Sequence, residues 1–553
     1  MRRDGSMNEA FRISGWKKLL MLALAAVGGL LYAAALPPLN FSIAVFFSLT
    51  GLLYAATQCR WKFMFLCGWV WGVAWAFCSY NFLREIDPAV PYLLAPVLAL
   101  WPAVWAALMP WVWRRTVIPA EGGVWNASER EDYLKSGIPW WRLLLFALYA
   151  ASLFTLIEWT RSRLFVWNDF SVTQWRNVFL IQICALTGSY GVGFLVALAN
   201  TSIFVLCKKW RGVPAFLFMC LLFALALIYG LFRVFQEDKS DKTVTFGLVQ
   251  ADLSQRRQAD EKEIFEAVNK NVQLSRKVLS LKPDIIVWPE SAVPVPLRAS
   301  SIYSSFYRRN LLSFIKYNGI PMLIGALDFA ADNEQITNSA LLLDREGRLT
   351  GKYDKIIRVP FGEYIPFRKY LPQFVIDRID MGRDLAPGHD YRPLPLLSGV
   401  RAGVAVCYEG VFGVLTRSFA RRDANVLVAL SNDAWYPRSS EPEQHLANVV
   451  MRCIETGLPM VRCGNNGGSG VVTRYGEFTQ YIGSKAARPE LLRESSCGVV
   501  KIRVAENPEK TFYVRYGEWF VLLLGIFAGV MTVYAFINVH IGRKKLMAAL
   551  SAD

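Results

Sequence analysis

Seven apolar stretches fall within the first 234 residues, at positions 19–36, 41–57, 63–83, 92–113, 143–160, 190–207 and 214–231, and an eighth follows at 519–539. Glu158 is the one charged residue among them. Each approaches the ~20 apolar residues that carry a helix across a bilayer. In lipid, only helices and closed barrels satisfy their own backbone groups. Long runs without a period of two are helical, so the chain is expected to build a multi-span α-helical membrane bundle. The basic start (Arg2, Arg3, Arg12, Lys17, Lys18) resembles a signal peptide. The run behind it is longer than a usual signal core and further spans follow, so it is read as a first transmembrane helix. Residues 177–188 are apolar but shorter, and read as re-entrant or interfacial.

Charge sets the expected orientation. With the N-terminus inside, the inside connections hold Arg60 and Lys62, Arg114 and Arg115, Lys208 to Arg211, and the tail Arg543 to Lys545. The short outside connections, 37–40 and 84–91, carry one basic residue between them, Arg84. The connection 161–189 fits less well, with Arg161, Arg163 and Arg176. On balance this is the positive-inside pattern. The net charge of +17 then needs no nucleic acid to explain it. Seven crossings place the polar segment outside, which in a bacterial inner membrane is the periplasmic face. The expected domains are residues 1–234 (membrane), 235–518 (periplasmic and catalytic) and 519–553 (a last span with a basic cytoplasmic tail).

The polar segment alternates short apolar runs with helical stretches. Strands are expected at 244–250, 285–288, 322–327, 340–343, 403–406, 426–430, 460–463 and 470–473. Helices are expected at 264–281 and 445–455, and long loops at 300–309 and 366–395. This pattern predicts an α/β layered domain.

Four motifs carry chemistry. In 403–412, GVAVCYEGVF, an apolar strand stops at Cys407, with Tyr408 and Glu409 next. That suits a nucleophile on a tight turn, although a free cysteine is more often a small core residue. In 285–294, IIVWPESAVP, Glu290 follows a strand end beside Trp288 and Pro289, where partial desolvation raises a carboxyl toward the general-base range. Alone, it also fits an exposed loop acid. In 353–367, YDKIIRVPFGEYIPF, Lys355 and Glu363 sit in apolar, proline-rich company. A lysine near a thiol lowers the thiol pKa and stabilises an oxyanion; alone, Lys355 also fits a solvated cation, and Glu363 a structural hydrogen-bond partner. In 431–436, SNDAWY, polar groups again follow a strand, and α/β enzymes place their sites at such strand ends. The ten cysteines show no metal-like pairing, and three histidines (His389, His445, His540) argue against a multi-His metal site and leave little for a Cys-His dyad.

The ordered set WPES, then K with VPFGEYIPF, then CYE, then SNDAW resembles the nitrilase (carbon-nitrogen hydrolase) superfamily. VPFGEYIPF and SNDAWY, with several spans before the domain and one after, resemble the bacterial apolipoprotein N-acyltransferases. The resemblance runs over nearly the whole chain and is densest from 249 to 470 and at 513–519 (YVRYGEW). It implies an αββα sandwich. It also implies Glu290 as general base, Lys355 as the oxyanion-stabilising lysine, Cys407 as nucleophile, and Glu363, Tyr408 and Glu409 in support. The segment 249–261 resembles a family lid loop that often carries a tryptophan where this chain has Ala259. Asn465, Asn466 and Gly467 match a family NNG expected to support the site.

The activity so implied is acyl transfer from a membrane phospholipid, through a Cys407 thioester, to the α-amine of a lipoprotein's S-diacylglyceryl-cysteine. No metal or organic cofactor is implied. Two other readings use the same residues: a membrane-tethered amidase that uses water, and a channel, transporter or lipid-binding scaffold with an inactive enzyme-like domain. Eight spans and the two signatures disfavour the first. The intact Glu-Lys-Cys set, and the lack of a charged pathway through the spans, disfavour the second.

Overall fold

The computed structural model describes residues 14–117, 138–208, 210–236, 242–254, 261–330, 334–379, 384–436, 438–484 and 493–550. Ala259 lies outside them. The chain divides into two compact units, Met1–Val234 with Glu518–Asp553, and Phe235–Gly517.

Among the described residues of the first unit, seven helices are long and apolar enough to cross a membrane. Six precede the second unit (Gly15–Ala35, Trp61–Ser79, Val90–Thr116, Trp140–Leu164, Ser189–Lys208, Trp210–Val234) and Trp519–Ile537 follows it. Small residues let the helices meet closely. A Cβ on Gly28 would lie 2.2 Å from the Ser48 carbonyl oxygen, and one on Gly29 would lie 2.1 Å from that of Trp71.

One expected span differs. Residues 41–57 form a 3-10 segment, Ser42–Phe47, and then a short helix, Thr50–Ala56. The buried side chain of Asn200 explains the break, because it replaces hydrogen bonds that a continuous helix would make for itself. It accepts from Leu49 N at 2.8 Å and donates to the Val45 carbonyl at 2.9 Å. The 15-residue piece Ser42–Ala56 is therefore shorter than the seven long helices. Residues 177–188 form two short helices, Val178–Ile181 and Cys184–Thr187.

A second difference concerns charge. Arg161, read above as an outside loop residue, is buried on Trp140–Leu164. Its guanidinium meets Asp169 at 2.5 Å and Glu158 at 3.8 Å. It also donates to the carbonyl oxygens of Trp167 (3.0 Å) and Phe165 (3.3 Å). Arg161 therefore answers internal carboxylates, and its charge does not report the side of the membrane.

The second unit has two six-stranded sheets. The strands are β1 (Lys242–Gln250), β2 (Ile285–Val287), β3 (Met322–Phe329), β4 (Ile336–Leu343), β5 (Leu349–Asp354), β6 (Leu394–Leu397), β7 (Val400–Val406), β8 (Val426–Ser431), β9 (Met460–Gly464), β10 (Gly470–Val472), β11 (Phe478–Thr479) and β12 (Ser496–Val504). One sheet runs β12-β1-β2-β3-β4-β5, the other β11-β10-β9-β8-β7-β6. β1, β2 and β3 are parallel, as are β7, β8 and β9. These strands are buried on both faces, which is why they read as unbroken apolar runs.

The sheets face each other, with β1 against β9 and β4 against β7. Between them the Cys463 thiol donates to the carbonyls of Val249 (3.5 Å) and Val287 (3.3 Å). Helices Glu261–Leu279 and Ile302–Asn318 cover the first sheet, and Gly413–Arg421 and Glu441–Thr456 the second. The result is the expected αββα sandwich.

Ile302–Asn318 corrects the loop expected at 300–309. Ser301 caps it by accepting from Ser304 N at 3.1 Å, and Gly319 ends it with φ +60°. The aromatic residues of its first two turns pack inward: Tyr307 is buried, and Phe306 meets Phe265 edge-on. Residues 366–395, also expected as loop, contain the short helix Gln373–Ile379 and the start of β6.

Candidate active site

Four sequence segments come together at one edge of the sandwich, each just past a strand end. β2 ends at Val287 and leads through Trp288 and Pro289 to Glu290. β5 ends at Asp354, and Lys355 is next, its backbone held by Asn338 and Gly388. β7 ends at Val406, and Cys407 is next. β8 ends at Ser431, and Asn432 and Asp433 follow.

Cys407 has φ +53°, the left-handed region that a residue with a Cβ enters at a cost of about 1–3 kcal/mol. The turn holds because its neighbour is tied down from several sides. Glu409 accepts from Val406 N (2.9 Å), Ile356 N (2.7 Å) and Ile357 N (2.9 Å). It also accepts from the Tyr353 hydroxyl at 2.9 Å. Glu409 thus joins the cysteine turn to the lysine loop. Burial pushes its pKa up to about 7, against the pull of Lys355 and of these donors. Tyr408 is partly buried, edge-on to Phe412 at 4.9 Å.

The Lys355 ammonium sits between two carboxylates, 3.3 Å from Glu290 Oε1 and 3.1 Å from Glu363 Oε1. Asn338 spans the same pair, donating from Nδ2 to each Oε1 at 2.8 Å. Glu363 also accepts from Val359 N at 2.8 Å. All four side chains are buried. Cys407 is partly exposed, and its sulfur lies close enough to Glu290 and Lys355 to feel both charges.

The electrostatics follow from this packing. Burial raises the Glu290 pKa and the Glu363 charge adds to that, while Lys355 opposes both. Burial works to discharge Lys355, but Glu363 and Glu290 outweigh it, so the ammonium is held more strongly than in water. Burial and the Glu290 charge push the Cys407 thiol well above its ordinary range, Lys355 only partly offsetting them. The resting sulfur therefore keeps its proton and needs a base to become a nucleophile. Glu290 is in reach and has a raised pKa, as that task requires. Lys355 supplies a fixed positive charge beside the sulfur.

All six residues singled out from the sequence lie at this edge. Two side chains around them were not singled out there, Asn338 and Tyr353, and Asp433 was read only as part of SNDAWY. Asn338 lies in the polar start, Thr337 to Ser339, of the strand ITNSALLL, and nothing in that stretch marks it out from its neighbours. Among the described residues, the side-chain ligand atoms of Asp433, Glu441 and His445 lie within 4.8 Å of one another. The Arg462 guanidinium is paired with Asp433, putting a positive charge where a metal cation would have to compete.

Comparison with known proteins finds relatives over nearly the whole chain. The family model described as carbon-nitrogen hydrolase matches residues 245–490, and that described as apolipoprotein N-acyltransferase N-terminal domain matches 28–202. The apolipoprotein N-acyltransferase of Geobacter metallireducens is 30% identical over 93% of this chain and 95% of its own. That of Haemophilus ducreyi is 25% identical over 92% and 94%. Among solved structures, an amidase from Nesterenkonia sp. aligns over 52% of this chain and 99% of its own, at 16% identity and a TM-score of 0.34. With its long apolar helices and its nitrilase-like sandwich, the chain belongs to the apolipoprotein N-acyltransferase family, membrane acyltransferases of the nitrilase superfamily.

Proposed function

We propose that the chain transfers a fatty acyl group from a membrane phospholipid to lipoproteins through a thioester on Cys407. The observation that carries this reading is the meeting of thiol, raised-pKa carboxylate and buried ammonium at one sheet edge.

In the first step Glu290 accepts the Cys407 proton while Sγ bonds to the ester carbonyl carbon. Lys355 stabilises the tetrahedral oxyanion. The carbon–oxygen bond to glycerol then breaks, Glu290 returns the proton to the leaving oxygen, and a lysophospholipid departs. In the second step the α-amine of a diacylglyceryl-modified cysteine attacks the thioester carbon. Glu290 takes the amine proton, the carbon–sulfur bond breaks, and the proton returns to Cys407. An amide and the free enzyme remain. Glu363 holds Lys355, while Glu409 and Tyr408 hold the turn.

Both substrates in this reading are lipids, and the lysine loop is suited to meet them. Phe361, Phe367, Tyr370 and Phe374 are all exposed within 14 residues of Glu363's own segment. Such a cluster of aromatic residues fits an interfacial contact. We place the domain on the periplasmic face of the bacterial inner membrane. That requires Ser42–Ala56 to count as a crossing, since six long helices alone would return the domain to the N-terminal side.

The test is partition of the acyl group. Enzyme loaded from phospholipid vesicles is mixed with a diacylglyceryl-cysteine peptide or with buffer alone. Transfer to the peptide amine, with slow release in buffer, supports the transferase. Equal release in both would make the chain a hydrolase.

A further inference from the structure

Behind the Cys407 turn lies a hydrogen-bonded chain that none of the steps above uses. It joins the C-terminal ends of β7, β8 and β9. His445 lies on helix Glu441–Thr456, all sixteen residues of which are buried. Its Nε2 faces the Cys407 carbonyl oxygen at 3.1 Å. Its Nδ1 faces Asp433 Oδ1 at 3.0 Å. The other Asp433 oxygen accepts from Arg462 of β9, which donates onward to the Gly468 carbonyl at 3.2 Å. His445 is 2% exposed, Asp433 1% and Arg462 0%.

A carbonyl oxygen only accepts, so Nε2 carries a hydrogen and donates it to Cys407. The Asp433 carboxylate fixes the ring with that nitrogen aimed at the turn. Asp433 is well placed to stay charged: burial favours its neutral form, but Arg462 and His445 outweigh it and hold its pKa below the ordinary carboxylate range. The helix also abuts the turn directly, because a Cβ on Gly410 would lie 3.1 Å from Val449 and 3.9 Å from His445 Nε2.

We infer that His445 is a positioning residue for the nucleophile. Its Nε2–H holds the Cys407 carbonyl, and with it the left-handed backbone that aims the thiol at Glu290 and Lys355. Asp433 and Arg462 hold His445. The inference rests on Cys407 being the nucleophile.

Two substitutions separate this role from simple support of the core. His445→Gln keeps a donor near the Nε2 position and gives up the Asp433 contact. His445→Asn keeps a donor near Nδ1, toward Asp433, and gives up Cys407. The full-length protein in phospholipid micelles is mixed rapidly, and acyl-enzyme is followed by intact mass at several phospholipid concentrations. Misplacing a reacting atom by about 1 Å costs about a hundredfold in rate. His445→Asn is therefore expected to acylate about a hundredfold more slowly at saturating phospholipid, with half-saturation unchanged. His445→Gln is expected to stay within about tenfold of the wild type. A folded His445→Asn that acylates at the wild-type rate would overturn the inference, as would Gln and Asn variants that fall equally. If the Asn variant fails to fold, the Gln variant decides alone, and a loss beyond a hundredfold in folded Gln protein overturns the inference. Wild-type protein that forms no acyl-enzyme would instead refute the role of Cys407, so the two failures are distinguishable.

Discussion

Among the described residues, each unit of this chain buries a cation between two carboxylates. In the membrane unit it is Arg161 between Asp169 and Glu158; in the sandwich it is Lys355 between Glu363 and Glu290. Both cations are nearly inaccessible, at 2% and 1% exposure. Burying charge is costly in either place unless it is paired and hydrogen-bonded. The difference lies in what else the charges touch. The membrane triad is local, within twelve residues of sequence, and it is held by nearby backbone groups and by the hydroxyls of Tyr32, Tyr80 and Ser162. Glu158 accepts from Phe170 N at 2.9 Å, and Arg161 donates to two carbonyls. It shapes the chain where helix Trp140–Leu164 ends. The sandwich triad joins two distant segments, Glu290 on one and Lys355 with Glu363 on the other, and lies beside the partly exposed Cys407. A buried ion triad alone marks no active site; the nucleophile beside it does.

The largest expected effects come from removing each cation. Lys355→Met leaves Glu290 and Glu363 side by side, and should destabilise the fold by about 3–5 kcal/mol and abolish acylation. Arg161→Met should cost a similar amount in stability, yet leave the acylation rate per folded molecule unchanged. Thermal unfolding in detergent and single-turnover acylation check both. An Arg161 variant that folds but fails to acylate would break the comparison.

Glu290→Gln comes next. It should lower acylation by about 10²- to 10⁴-fold, since it removes a general base. In the wild type, acylation should fall as pH drops through the raised pKa of Glu290, because only the carboxylate accepts the thiol proton. That limb should lie above the pH range of an ordinary glutamate and be absent in the variant. Asn338→Ala should cost about tenfold in acylation rate, because the two carboxylates lose their shared donor. Tyr353→Phe should be smallest, about 1 kcal/mol of stability from one lost bond to Glu409, with little change in rate.

These residues also show how far the sequence could be read. Strands such as β7 and β8 are buried on both faces and announce themselves as apolar runs. β5 (LTGKYD) and β12 (SCGVVKIRV) are sheet edges, and their polar residues hide them. The aromatic and basic residues at 302–309 read as loop because their helical partners, Phe265 on another helix among them, are distant in sequence. Glu290 and Cys407 were legible because each comes just past an expected strand, and Lys355 because it sits in apolar, proline-rich company within the ordered motif set. Asn338 was not, because its reach to two carboxylates depends on where β4 lies in the sheet. The chain from Arg462 through Asp433 and His445 to Cys407 draws on four separate segments, and no spacing in the sequence encodes it.

The most direct test of the central claim is to find the acyl group. Purified protein is incubated with phospholipid micelles of one defined acyl chain, and intact mass and peptide mapping are compared with Cys407→Ala. The account predicts one added acyl mass, labile to hydroxylamine at neutral pH, on the peptide that contains Cys407, and none on the variant. An acyl group on another residue, or equal loading of the folded Cys407→Ala protein, would contradict it.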